Sequence, residues 1–594
     1  MVDRGVATWS NAKEFFEMVT RWKDRLPTWN DELYYEFHRG SLTTQTLVKR
    51  MNRFFEWRLP AVEGLCTITS RVNPGARIDS LERFYTGEHD QTPATKNAIE
   101  QVWQNVLLMQ FHDVLPGTSI PEVYDECYEF WTQDKQLLET ISREALQAIP
   151  MCHGMPDVVP LTVHLPVPKS IPVPGIGTVT ADKVMLVPVA IANMAGITFC
   201  QVVEVPADKL HGMLPAGIIL DEGAGNMNPV QLVAADPICP DIDAKPARWI
   251  FPAWLPPWTT IIAWVVAVPR AGDNFQDIAG INAASAAAFT ALGGVKDETI
   301  ACVTNDEARG ACITFPGGAI GINKETGLLD RLDAGGTSFL KAPCALKAYN
   351  DVPHREPCWN FQSGYWNHPK AIFDAPATVE VIETGPVRHV TRVTRPFGTG
   401  SRSIIDYSAV QGIEGIGVSI GIDFHETETL VKYEIPLGLH ATYSIAETCY
   451  ATSKRRNKPE ANRDVPRWEK LMHTFVAMES DDGTGGLAVI NEGKYGFDTR
   501  GGNLGISLVH GPRYPETNVV AWAKDERRKR KDAGLGEPPA HADQGPHLTR
   551  LWLLPYKGSW RKGKLHHAAH GFNSPVQVLV LEGTKTARQV ICGK

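Results

Sequence analysis

The sequence predicts a multidomain α+β chain, a three-helix bundle followed by β-sandwich domains. Three observations predict it. Apolar residues recur at helical spacing from Ser10 to about Gln147, then switch to alternation from about Val158 onward. Pro and Gly punctuate the second part, as turns between short strands require. The 594 residues are enough for about three to four domains.

Taken in order, Phe15, Phe16, Met18 and Val19 open the helical region, followed by Leu47, Met51, Phe54 and Phe55. A third stripe, Ile99, Val102, Trp103, Val106, Leu107 and Gln110, runs into Pro116-Gly117, which forbids continuation and forces a turn. His112 and Asp113 are therefore expected at a last helical turn. Val123 to Leu146, with Tyr124, Tyr128, Trp131 and Leu137, completes three long helices after Thr43, read as a bundle over 43–155. Strands are expected at Val379–Val381, Val418–Phe424 and Val576–Val580. The apolar run Trp249–Pro269 is long enough for a bilayer, but Pro252, Pro256 and Pro257 break any helix. It reads as two strands joined by a proline turn, its four tryptophans in a sandwich core. The small-residue stretch Ala283–Gly294 reads as a linker between a first β module, 156–282, and a larger one, 295–594.

Composition excludes several function classes. With 43% hydrophobic and 21% charged residues the chain is an ordinary globular protein, and a net charge of -8 gives no general attraction to nucleic acid or anionic lipid. Neither a nucleic-acid nor a membrane partner is expected. Eleven cysteines lie far apart without a C-x-x-C pair, which argues against a disulfide framework and a Cys-ligated zinc. The acidic start lacks an apolar signal core, no Asn-x-Ser/Thr acceptor occurs, and a reducing, cytoplasmic or vacuolar location is expected. The charged run Asp525–Asp532 is expected as an exposed insert, and His566, His567 and His570 as a solvated loop. His153 and His354 have the residue type of a ligand but no partner fixed by spacing.

The pair His112-Asp113 is the strongest chemical signal. A neutral imidazole beside a carboxylate at a rigid helix end suits a metal site or a proton-transfer site; taken alone, a capping His with a solvated Asp is the plainer reading. The surrounding Gln110-Phe111-His112-Asp113-Val114-Leu115-Pro116-Gly117-Thr118 resembles the signature of the helical segment of glycoside hydrolase family 38, the zinc-dependent α-mannosidases. Glu32–Gly40, with Thr43-Thr44-Gln45 and Lys49-Arg50, is similar to that family's passage from catalytic barrel into helices. Glu383–Arg388, Tyr433–Pro436, Val465–Trp468, Asn491–Asp498 and Asp543–His547 resemble its C-terminal markers in order.

The resemblance implies zinc-assisted, retaining hydrolysis of terminal α-D-mannosyl residues in oligosaccharides. It implies His112 as a zinc ligand and Asp113 as a contact to a sugar hydroxyl or a brace. Retaining glycosidases need two carboxyl groups about 5 to 5.5 Å apart; by its place in the segment Glu32 is the candidate acid/base, with Glu36 behind it, while an exposed i,i+4 pair is the plain alternative. Tyr34 and Tyr35 are expected to be packing residues. Residues 1–42 resemble the end of the catalytic barrel just beyond its nucleophile, 43–155 the family's middle domain, and 295–594 its large, galactose-mutarotase-like sandwich. No His-x-Asp zinc pair stands near the start, so the other ligands and the nucleophile are expected from a missing N-terminal part or a separate barrel subunit. The alternative is a non-catalytic carbohydrate-binding or scaffold sandwich descended from a mannosidase.

Overall fold

The computed structural model describes residues 8–29, 32–82, 98–149, 170–173, 177–180, 184–210, 213–220, 227–235, 238–239, 245–270, 277–292, 294, 301–306, 310–462, 464–515, 521–532, 534, 539–581 and 585–586. His153 lies outside them. The chain divides into two compact units, Met1–Glu36 and Phe37–Lys594. In the first, helix α1 (Ala12–Thr20) begins where the Asn11 side chain accepts the Glu14 amide at 3.1 Å. Its Phe15, Phe16 and Met18 are exposed.

The second unit opens with the turn Arg39–Leu42 and then the expected bundle: α2 (Thr46–Val72), α3 (Ala98–Met109) and α4 (Pro121–Ala148), the last with Pro at its first position. Val48, Met51, Phe55, Leu59 and Val62 of α2 pack with Val102 and Val106 of α3 and Leu138 and Ile141 of α4. Each helix therefore buries one stripe, as its periodicity requires. Helix α3 ends three residues before His112. The Asp113 carbonyl instead takes the Thr118 amide at 3.0 Å and the Ser119 hydroxyl at 2.9 Å, local bonds that replace helix continuation.

All strand pairs in the described residues are antiparallel. In the first β part Met185–Asn193 pairs with Thr259–Pro269, which pairs with Met213–Ile219; a separate sheet joins Phe199–Pro206, Arg248–Leu255 and Gln231–Val233. The apolar run is thus two strands split after Pro256-Pro257. Trp249 and Trp264 are core, but Trp254 and Trp258 are exposed, because alternation turns Trp254 outward and Trp258 sits at φ +50 in the turn. The Ala-rich stretch read as a linker is a helix, α5 (Ile278–Ala291). Asp277 caps it, and small side chains let it lie against the sheet, where the Ser285 hydroxyl donates to the Pro215 carbonyl at 2.6 Å.

The larger part is a sandwich of nine- and six-stranded sheets. Val418, Ile420, Leu551 and Leu553 of the first share a core with Val431, Tyr433, Leu504 and Ile506 of the second. Two expected surface segments are ordered helices. In α6 (Ala521–Asp532) helix-favouring Lys, Arg and Glu give the insert a helical form while Arg528, Lys529, Lys531 and Asp532 stay exposed as expected, and Arg527 holds buried Glu122 of α4 at 2.6 Å. In α7 (Leu565–Asn573) Leu565 and Ala569, four apart, sink into a cluster with Phe475, Ala477 and Tyr556. The strand Val576–Val580 exists but pairs with Met185–Asn193, so a segment assigned to 295–594 completes the first β module. Among the described residues, no helix is long and apolar enough to cross a membrane, and the cysteines are free thiols.

Candidate functional site

His112 and Asp113 occupy a tight turn between α3 and α4. The imidazole is 78% exposed, with Nε2 3.3 Å from Asp113 Oδ2 and its ring 4.4 Å from that of Phe111. Asp113 is the turn's hub. Its Oδ1 accepts the Thr118 hydroxyl at 2.8 Å, and its carbonyl accepts Ser119 at 2.9 Å and the Tyr124 hydroxyl at 3.3 Å. The carboxylate is thus fixed from one side and faces the imidazole from the other. Leu107, Leu108 and Phe111 flank the pair and are all more than half exposed, an apolar border on a solvent-facing turn.

A buried framework holds the turn from below. Lys49 Nζ reaches the carbonyls of Thr44 at 2.5 Å, Leu115 at 3.0 Å and Pro116 at 3.2 Å. Three acceptors match the three donors of an ammonium. Burial pulls Lys49 down to about 7, against the attraction of Asp543. The Asp543 carboxylate caps α2, accepting the Gln45 amide at 2.7 Å and the Thr46 amide at 2.8 Å, where the helix's positive end favours an anion. Thr44 Oγ1 meets the carbonyls of Gly40 and Cys358 and His510 Nδ1. Lys49 and Asp543 lie in segments that carry the resemblance, but the sequence alone assigns neither a role. A lysine four residues into a helix and an Asp before Gln-Gly-Pro were the only signals available.

Several other segments that carried the resemblance are joints. Arg39 donates to the Pro466 carbonyl at 2.6 Å and lies 4.3 Å over Trp468. Glu383 pairs with Arg388 at 2.7 Å, and Asp498 with buried Lys432 at 2.6 Å. Glu32, in the first unit, is half-buried, and its carbonyl accepts Trp29 Nε1 at 3.1 Å. Glu36 is exposed, Tyr34 half-buried, and Tyr35 64% exposed rather than packed, since that unit buries little. His354 is exposed. Of the expected site residues, only His112 and Asp113 are brought together. Zinc needs about three or four protein ligands, and no group of three or more His, Cys, Asp or Glu able to hold a metal occurs among the described residues. The described residues do not make a complete zinc site.

Comparison with known proteins agrees with this architecture. The family description "Alpha mannosidase middle domain" matches residues 36–149, and "Glycosyl hydrolases family 38 C-terminal domain" matches 319–518, together more than half of the chain. The chain is 21% identical to Alpha-mannosidase G of Dictyostelium discoideum over 95% of its own length and 45% of that protein. It is 21% identical to Alpha-mannosidase of Saccharomyces cerevisiae over 94% and 39%, and 21% to Alpha-mannosidase 2C1 of Homo sapiens over 96% and 43%. It therefore spans less than half the length of these relatives. The crystal structure of an α-mannosidase from Enterococcus faecalis V583 superposes with a TM-score of 0.62 at 13% identity, covering 96% of this chain and 62% of that one. The chain belongs to glycosyl hydrolase family 38, of which it carries the middle and C-terminal domains.

Proposed function

We propose that the chain works as part of an α-mannosidase, in the zinc-assisted, retaining hydrolysis of terminal α-D-mannosyl residues from oligosaccharides. His112 supplies one metal ligand; the remaining ligands and the nucleophile come from a catalytic barrel, on a further part of the protein or on a separate subunit. The observation that carries this reading is the turn itself, an exposed imidazole on an immobilised backbone with an apolar border suited to cover by another polypeptide. Asp113 steers the ring, as carboxylates beside ligating histidines do. Glu32 is the proposed acid/base, on its place in the segment Glu32–Gly40, and residues 1–42 the proposed end of the barrel.

The test supplies the purified chain with the barrel segment of a relative and measures zinc uptake and hydrolysis of p-nitrophenyl α-mannoside. Alone, the chain is expected to bind zinc weakly and turn over negligibly. With the barrel, activity appears, falls about 100-fold in His112→Ala and about 10- to 100-fold in Asp113→Asn, and falls in Glu32→Gln. Turnover indifferent to His112, or robust turnover by the chain alone, refutes the arrangement.

A further inference from the structure

A cleft of about 860 Å³ lies between the first β module and the large sandwich. One wall is the outer face of the strand pair Phe199–Pro206 and Arg248–Leu255, where the register sets Cys200 opposite Trp254 and Val202 opposite Pro252. The facing wall is the outer face of the nine-stranded sheet. There Ser408 and Trp552 both stand opposite Gly417, and Arg550 opposite Ser419, while the intervening Tyr407, Val418 and Leu551 point into the core. Helix α7 adds His567 and Phe572 to the lining, the latter stacked on Trp552 at 6.2 Å. Arg388 lines the cleft too, its amide donating to Gln231 Oε1 at 2.8 Å and its guanidinium to Glu383.

The chemistry of the lining limits the ligand. Glu204 is bridged by Lys245 at 2.7 Å and Arg248 at 3.1 Å, and Glu492 by Arg550 at 3.0 Å. Each of these carboxylates is held by a cation, Lys564 and Glu414 add one charge of each sign to the lining, and an anionic ligand would have to displace Glu204 or Glu492 to reach Lys245, Arg248 or Arg550. What the walls offer besides is hydroxyls from Ser408 and Ser419, the Gln201 amide, and the indole of Trp254, 65% exposed. An exposed indole in a concave site presents a flat apolar plate with a polar edge. The volume falls in the range of small-molecule sites, about 300 to 1,000 Å³.

We propose that this cleft binds a neutral oligosaccharide of a few hexose units, Trp254 stacking on a sugar face and the paired charges and hydroxyls of both walls bonding its hydroxyl groups. This does not rest on the mannosidase reading; a chain that hydrolyses nothing still satisfies it.

The test is calorimetric titration of the full chain with α-mannopentaose, cellopentaose and a sulfated pentasaccharide. Saturable binding of one or both neutral sugars is expected, weakened about tenfold or more by Trp254→Ala. Ser419→Arg, a plug from the opposite wall, is expected to do the same. Tyr450→Ala, a fully exposed aromatic on a hairpin tip, is expected to bind like wild type. Binding of one neutral sugar alone narrows the sugar class and supports the site. No saturation by either neutral sugar up to about 10 mM overturns it, as does tighter, salt-sensitive binding of the sulfated sugar. Loss of binding in Tyr450→Ala places the contact outside the cleft and also overturns the proposal. If Trp254→Ala weakens binding and Ser419→Arg does not, the indole is an isolated surface contact and the cleft is not the site. Melting curves matching wild type confirm that each variant folds.

Discussion

At Gly117 the backbone takes φ +92, and a Cβ there would stand 2.3 Å from the Thr44 carbonyl oxygen, the same oxygen that Lys49 bonds. An alanine would meet both an unfavourable backbone region and a rigid wall. Gly117→Ala is expected to cost about 2–3 kcal/mol, with faster amide exchange over Val114–Thr118. Unchanged exchange there would show that the turn is not held against Thr44. The stop signal at Pro116-Gly117 was legible because proline and glycine act locally. The need for glycine was not, because its opposing atom is far away in the sequence. The same holds for His112 and Asp113: their pairing follows from adjacency, whereas Lys49 and Asp543 act on the turn only after the helices and sheets have met.

Between α3 and α4, Asn105 donates to both oxygens of Asp134, at 3.1 and 3.0 Å, and burial raises the Asp134 carboxyl to about 7. A carboxyl harder to ionise in the folded than in the unfolded chain makes stability fall as pH rises from about 4 to about 7, the loss being complete above that. Asp134→Asn is expected to gain about 2 kcal/mol on wild type between pH 5 and pH 8 in denaturant titrations; equal pH profiles would refute this. Elements whose apolar spacing persists over many residues were readable: the three bundle helices and the strands at Val379, Val418 and Val576. Three helices were not. Helix α5 is Ala-rich without a polar face, α6 is too charged to show a stripe, and α7 is a short helix led by histidines. In each, tertiary contact rather than periodicity decides the outcome.

Across the molecule the bundle is tied to the sandwich by an ionic clamp. Glu56 of α2 meets His473 Nε2 at 2.7 Å, Glu447 meets Nδ1 at 3.0 Å, and Arg53 donates to the His473 carbonyl at 2.9 Å. The two carboxylates hold His473 above its ordinary range despite burial, and the imidazolium holds both carboxyls below theirs. A histidine with a raised value lends stability that is complete below about 6.5 and lost as pH rises through the raised value. The carboxylates lend stability lost only as pH falls through their lowered values. His473→Gln is therefore expected to lose its disadvantage as pH rises above about 6.5, read by limited proteolysis between bundle and sandwich; a constant difference between variant and wild type would rule the clamp out. The order of helical and β regions was readable from the switch in periodicity. The return of Val576–Val580 to the first module was not, since strand pairing leaves no local trace.

That return has a consequence for biosynthesis. Until Val576 emerges from the ribosome, Met185–Asn193 offers one bare row of amides and carbonyls on a strongly apolar ribbon. The nascent chain must be shielded through that interval, and the module cannot mature in the order in which it is translated.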